Sequence, residues 1–304
     1  MKYSRHLRDQ DIELQPLSCG ARGDLYGWCC RPVAAERRGT LILVHGLGEH
    51  SGRYLELAKA LAASGYATIA FDQQGHGQSP GRRGMSRGYD SMLADIDATC
   101  DAVRTAGMDG PMFLLGNSMG GNLAASYVLR GPHRFTGLIL VAPMLLPAKK
   151  IKRDQILAAW ITGKLLPFFR IRSTVPPERL THDPEEIARM EADPWLHNRL
   201  SLRLGTELLA QGRWVLDHAR ELKLPLLVLH GEEDHAIELS AAQALCMKAG
   251  PLAKLIHLEA MYHDILHELE RHRAIEHICQ WMTSQLPQDI PLELSSGEKH
   301  DGPK

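Results

Sequence analysis

Ser118, Asp234 and His263 are the residues whose types and surroundings could together perform acyl transfer. The serine sits in Gly116-Asn117-Ser118-Met119-Gly120, with a further glycine at 121. An apolar run, Met112-Phe113-Leu114-Leu115, precedes it, and a helix-like stretch over 122–130 follows. A G-x-S-x-G turn leaving a strand for a helix is strained, and it lifts the hydroxyl above the carboxyl edge of a sheet. The glycines are needed because a side chain at either flank would meet the neighbouring strand or helix.

A nucleophilic serine needs a histidine to take its proton and a carboxylate to hold that histidine's tautomer. After an elbow of this kind they follow in the order serine, acid, histidine. Asp234, in His230-Gly231-Glu232-Glu233-Asp234, lies just past a strand-like run over 225–230. Glu232 and Glu233 are alternative acids. His263, in Glu259-Ala260-Met261-Tyr262-His263-Asp264, lies just past a run over 252–258. His257 falls inside that run and His267 on a helical stretch, so neither is at a loop tip. The chemistry also needs two backbone N–H groups ~3 Å from the developing oxyanion. The residue after the nucleophile, Met119, offers one, and Leu47, in Gly46-Leu47-Gly48, offers the other. Asp72 also ends a strand-like run, but it precedes Ser118, and is read as anchoring the glycine-rich loop 73–88.

One rival pattern exists. His263 and His267 stand at i and i+4, the spacing of a zinc pair. Asp264 occupies the place of a zincin's glutamate base, and no third ligand is evident, so no metal is expected.

The elements that must position these groups are legible as alternating periods. Apolar runs of strand length occupy 40–45, 66–71, 112–115, 137–142, 225–230 and 252–258. Helical patterns occupy 54–63, 89–106, 122–130, 240–249 and 265–285, and a hairpin over 12–19 and 25–31 opens the chain. Strands apolar on both faces, alternating with helices, argue an α/β fold whose central sheet is mostly parallel and covered on both sides. From 144 to 220 the pattern is helical with no strand run, which reads as an inserted helical cap. The core is then 1–143 with 221–287, and the polar stretch 288–304 is expected to be a disordered tail.

Of 304 residues, 44% are hydrophobic and 23% charged, as in soluble globular proteins, and the formal net charge is −1. That balance makes no global electrostatic case for nucleic acid or for an anionic membrane. Six cysteines without regular spacing read as free thiols of a reducing compartment. With no signal peptide or membrane-span pattern, a cytoplasmic location is expected. Nothing in the sequence sets an oligomeric state.

The run His45-Gly46-Leu47-Gly48-Glu49-His50-Ser51-Gly52-Arg53-Tyr54 resembles the oxyanion-loop signature of monoacylglycerol lipases and their lysophospholipase relatives in the α/β-hydrolase superfamily. Asp72-Gln73-Gln74-Gly75-His76-Gly77-Gln78-Ser79 is similar to a second signature of that family. The elbow, the Gly231–Asp234 loop and Tyr262-His263 complete the likeness, over about residues 10–285. Asn117 stands where the family commonly has His, and Gln74 where it commonly has Arg. The resemblance implies a serine hydrolase that cleaves esters of single-chain lipids, most simply monoacylglycerols, without a cofactor; lysophospholipase or general esterase activity is the alternative, and acyl transfer or peptide cleavage would use the same groups. It also implies that 144–220 forms a lid. Leu157, Trp160, Ile161 and Leu165 are its candidate substrate-binding residues, and Lys149-Lys150-Ile151-Lys152-Arg153 could let it touch a membrane surface transiently.

Overall fold

The computed structural model describes residues 7–8, 12–33, 37–106, 108, 110–131, 134–166, 168–172 and 175–287. The expected tail over 288–304 lies outside them.

An antiparallel start, β1 (Leu7–Arg8), β2 (Ile12–Cys19) and β3 (Leu25–Pro32), leads into β4 (Gly39–Val44), α1 (Leu55–Ala63), β5 (Tyr66–Phe71) and α2 (Tyr89–Thr105). Then come β6 (Met112–Asn117), α3 (Met119–Arg130) and β7 (Gly137–Val141). A long excursion follows, with α4 (Arg153–Leu165), β8 (Arg170–Arg172), α5 (Pro184–Ala192), β9 (Arg199–Ser201) and α6 (Leu202–His218). The chain returns through β10 (Leu226–Gly231), α7 (Leu239–Ala249), β11 (Ala253–Leu258) and α8 (Arg271–Ser284).

Among the described residues one nine-stranded sheet runs β1-β2-β3-β5-β4-β6-β7-β10-β11. From β5 to β11 every neighbour is parallel. The period-2 alternation of the strands divides their side chains between two apolar layers. Ile42, Val44, Leu114 and Val228 point to the layer closed by α2, α3, α6 and α7, through Ile96, Leu123, Leu208 and Leu245. Leu41, Leu43, Phe113, Leu115 and Leu229 point to the layer closed by α1 and α8, through Leu57, Leu61, Ile278 and Trp281. Burial on both faces explains why these strands read as continuous apolar runs.

Strand β5 lies on one side of β4 and β6 on the other, so the order reverses at β4. Loops leaving the carboxyl ends of β4 and β6 diverge there, which opens the crevice where such sheets bind ligands.

Two departures from the sequence reading stand out. The excursion is not purely helical: β8 and β9 pair antiparallel, Arg170 opposite Ser201 and Arg172 opposite Arg199. Each strand has three residues, too few for alternation to register. The last helix begins at Arg271, after a separate 3-10 turn at Ile265–His267. Helix α6, although inside 144–220, packs in the same apolar layer as α2, α3 and α7. No helix among the described residues is long and apolar enough to cross a membrane.

Candidate active site

Ser118 occupies the single residue between β6 and α3, at φ 51° and ψ −112°. A non-glycine residue with positive φ is strained, and such strain gathers at functional turns. The surroundings over-determine it. Ser118 N–H donates to the Val141 carbonyl at 2.9 Å, and its own carbonyl accepts from Met144 N–H at 2.9 Å. The flanking glycines permit the turn: a Cβ on Gly116 would run into the Gly120 carbonyl, and one on Gly120 into the carbonyl of Val44 at the end of β4.

The loops after β10 and β11 bring the acid and the histidine to this turn. Ser118 Oγ lies 3.0 Å from His263 Nε2, and His263 Nδ1 donates to Asp234 Oδ2 at 2.7 Å. The other carboxylate oxygen of Asp234 accepts from Ala236 N–H at 2.7 Å and Ile237 N–H at 2.9 Å. Both oxygens are thus committed, which fixes the carboxylate plane against the imidazole. The Asp234 side chain is 1% exposed, whereas Glu232 and Glu233 are exposed residues. Geometry therefore selects Asp234 among the three acids.

The two groups tune each other. Burial pushes the Asp234 carboxyl up, but the charge and hydrogen bond of His263, followed by Ile237 N–H, outweigh it and hold the carboxyl below its usual range. Burial pulls His263 down; the Asp234 charge and hydrogen bond, and then the Asp264 and Glu49 carboxylates, more than offset that and raise it above the ordinary imidazole value. A histidine so placed is a stronger base toward the serine proton than a free one.

Leu47 and Met119 both border the same cavity as Ser118 and His263. Gly46 packs against the elbow, its missing Cβ position 3.2 Å from Ser118 Cβ. Outside helix-internal bonds, neither the Leu47 N–H nor the Met119 N–H has an acceptor among the described residues. Two such donors beside a serine are what a developing oxyanion requires.

The zinc alternative dissolves in the same region. His267 Nδ1 donates to Asp264 Oδ1 at 2.7 Å, and its Nε2 lies 3.0 Å from the Arg53 carbonyl, while both nitrogens of His263 face Asp234 and Ser118. The two rings serve different partners. Asp72 anchors its loop as expected: its carboxylate accepts from Ser51 N–H at 2.7 Å and from Gln78 N–H at 2.8 Å.

The cavity measures about 840 Å³, within the range of small-molecule sites. Met144, Val175, Met190, Leu196, Leu200 and Leu208, all from 144–220, supply its apolar wall. Leu157, Trp160, Ile161 and Leu165 do not line it, which corrects the sequence reading. Within α4 only Gly163 is buried, and the four side chains point outward, with Leu165 75% exposed. Apolar content marked the helix but could not tell which way it faces.

Part of the cavity wall is a charged group that the sequence reading missed. Glu49 Oε1 accepts from Gly46 N–H, from Tyr54 Oη at 2.7 Å and from Asn117 Nδ2 at 3.0 Å. Its Oε2 accepts from Arg53 Nη1 at 2.8 Å. Arg53 Nη2 also donates to Glu186 at 2.7 Å and to Asp264 at 2.5 Å. Glu49 and Arg53, at i and i+4 in the oxyanion-loop signature, were the available signal. Glu186 had none.

A reversed-order, mostly parallel sheet with a strained serine after one strand, and an acid and histidine after two later ones, makes this chain a serine hydrolase of the α/β-hydrolase fold. Its sequence agrees: residues 35–270 match the model of the family described as Hydrolase_4, serine aminopeptidase, S33, and the chain belongs to that family. A monoacylglycerol lipase of Mycolicibacterium smegmatis is 28% identical over 253 residues, covering 82% of this chain and 89% of the relative. An uncharacterized abhydrolase domain-containing protein of Dictyostelium discoideum is 31% identical over 259 residues, 84% of this chain, which spans 27% of that longer protein. Among solved structures, a Paleococcus ferrophilus monoacylglycerol lipase superposes with a TM-score of 0.78 at 28% identity, covering 86% of this chain and 99% of the other.

Proposed function

We propose that the chain hydrolyses monoacylglycerols to fatty acid and glycerol through an acyl-enzyme on Ser118. The observation that carries this reading is the opening of the Ser118–His263–Asp234 relay into an apolar-walled cavity large enough for an acyl chain. Two relatives with high coverage are monoacylglycerol lipases, which supports the choice of alcohol. His263 Nε2 takes the Ser118 proton as Oγ attacks the ester carbonyl. Leu47 and Met119 N–H groups hold the oxyanion. Collapse expels glycerol, whose oxygen receives the proton from His263. A water then gives its proton to His263, attacks the acyl carbon and releases the fatty acid, returning the proton to Ser118. Asp234 holds the imidazole and stabilises its charged form throughout. The six unpaired cysteines fit a reducing compartment, the cytoplasm, as the place of action.

The family description names a peptidase, so the test compares leaving groups directly. Turnover is expected to be highest for long-chain monoacylglycerols, lower for lysophospholipids and short nitrophenyl esters, and negligible for aminoacyl nitroanilides. Faster cleavage of the anilides than of any ester overturns the reading.

The segment 144–220 acts here as a cap, and its outer face suggests how substrate arrives. Residues 149–172 carry seven lysines and arginines against one aspartate. Leu157, Trp160, Leu165, Leu166, Phe168 and Phe169 are exposed among them, and Lys164 Nζ lies 3.8 Å from the centre of the Trp160 ring. A cationic, apolar face of this kind suits transient contact with an anionic bilayer. Replacing Trp160 and Leu165 by serine is expected to weaken sedimentation with phosphatidylserine vesicles severalfold and leave hydrolysis of a dissolved short ester unchanged. Undiminished sedimentation would remove the membrane from the scheme.

A further inference from the structure

Arg53 is the meeting point of three elements that catalysis must keep in register. Its side chain and those of Glu49, Glu186 and Asp264 are 6–10% exposed. Glu49 ties the guanidinium to Gly46 N–H, one residue before Leu47. Asp264 ties it to the residue after His263. Glu186 ties it to α5, in the segment that walls the cavity.

Glu186 is placed oddly for a residue of its helix. Asp183 caps α5, accepting from Glu185 N–H at 2.9 Å, and Glu186 is the third residue after the cap. A glutamate there ordinarily reaches back to the N-cap N–H and completes a capping box. Here Asp183 N–H donates to Thr181 Oγ1 instead, and the Glu186 carboxylate turns away to Arg53. Its second oxygen accepts from Arg189 Nη1 at 3.2 Å. The helix gives up a local stabilising bond and buries a charge. Apolar contact would fix α5 at least as well, because buried ion pairs contribute little net stability. Nor is Glu186 needed as a lone counter-charge, since Glu49 and Asp264 already flank the guanidinium.

We propose that Glu186 is a positioning residue for the reaction at Ser118: acting through Arg53, its carboxylate sets the oxyanion loop and the His263 loop into register with the cap. The chain of contacts is short. Two side-chain hydrogen bonds join Glu186 to Glu49, and a third reaches Gly46 N–H beside the oxyanion donor. The same guanidinium holds Asp264, whose carboxylate, with those of Asp234 and Glu49, faces His263 and supports its protonated form.

This inference rests on Ser118 being the nucleophile, which fluorophosphonate labelling of the unaltered protein, lost in Ser118→Ala, tests by itself. Given labelling, three variants are compared on a dissolved short nitrophenyl ester, whose turnover does not depend on membrane delivery. Glu186→Gln keeps shape and removes charge. It is expected to lower kcat by about ten- to a hundredfold, the scale on which a misplacement of up to ~1 Å acts, with KM little changed. The acid limb of kcat/KM should move to lower pH, because the cluster beside His263 has one carboxylate fewer to offset Arg53 and favours the imidazolium less. Glu186→Asp keeps the charge and shortens the reach. It should leave the acid limb in place and lose only part of kcat, and it reports on the proposal if the glutamine variant does not fold. Arg189→Ala removes the exposed partner and should match the unaltered protein. A Glu186→Gln protein with unchanged kcat and pH profile, whatever its melting temperature, overturns the proposal. So does an Arg189→Ala protein that is equally slow, since the effect would then belong to the helix and not to the bond with Arg53.

Discussion

Ser118→Ala leaves a folded protein whose turnover of acyl esters is lower by about 10⁶-fold, the scale on which a nucleophile acting with its base and acid is lost. Fluorophosphonate labelling disappears with it. Stability should change by less than about 1 kcal/mol, because the exchange removes one hydroxyl from a site at the cavity surface. The hydroxyl's single side-chain hydrogen bond is to His263, so its loss disturbs the relay and nothing in the core. Alanine carries the same Cβ and feels the same strain at φ 51°, so the elbow keeps its shape. What remains is the intact elbow and cavity, with His263 and Asp234 in place but no hydroxyl to carry the acyl chain. Labelling and circular dichroism on the same preparation check both halves. A labelled Ser118→Ala protein places the nucleophile elsewhere.

How far the sequence alone reached follows from where each signal resides. Strands β4, β6 and β10 were legible because burial on both faces leaves unbroken apolar runs, such as Leu41-Ile42-Leu43-Val44. Ser118, Asp234 and His263 were legible because each occupies a loop at a strand's carboxyl end, and a parallel sheet brings such loops to one edge. Its shorter side chain, one turn past the strand, favoured Asp234 over Glu232 and Glu233. Burial, the bond to His263 and the N–H groups of Ala236 and Ile237 set it apart in the structure.

The rest depended on contacts that no local pattern records. Apolar residues of α4 resemble a cavity wall, yet the wall comes from Met190 of α5 and from Leu196 and Leu200, apolar positions scattered among polar neighbours. Strands β8 and β9 are stabilised by each other and not by an alternating face. Glu186 meets Arg53 across 133 positions of sequence, and nothing near either residue announces the pairing. Asn117, where the resemblance pointed to histidine, donates to Glu49 and so joins the elbow to the loop after β4.

Arg53→Met is expected to destabilise the protein by about 3–5 kcal/mol near neutral pH, the usual consequence of leaving buried charges without their partner. Methionine fills much of the same space, so the loss is chiefly electrostatic. Its pH dependence gives it away. For Asp264, burial alone would raise the carboxyl, but Arg53 and then His267 hold it far below its ordinary range; Glu49 is held down by Arg53 against its own burial. A carboxyl depressed in the folded state contributes stability above its unfolded value of ~4 and loses that contribution as pH falls. In the methionine variant burial dominates, the same carboxyls rise, and the folded state binds protons more tightly than the unfolded chain. Its stability then falls as pH climbs above ~4. The two curves diverge from about pH 4 toward neutrality. His267, pulled down by burial and by Arg53 but raised above its ordinary range by Asp264, is the other nearby cation; without Arg53 it rises further and adds to the divergence as it loses its proton. Urea unfolding of both proteins at pH 5 and pH 8 measures the gap. If methionine abolishes folding at pH 8 but not at pH 5, the charge argument stands. A gap equal at the two pH values would show instead that Arg53 acts through its aliphatic stem, and the network behind the oxyanion loop would be packing alone.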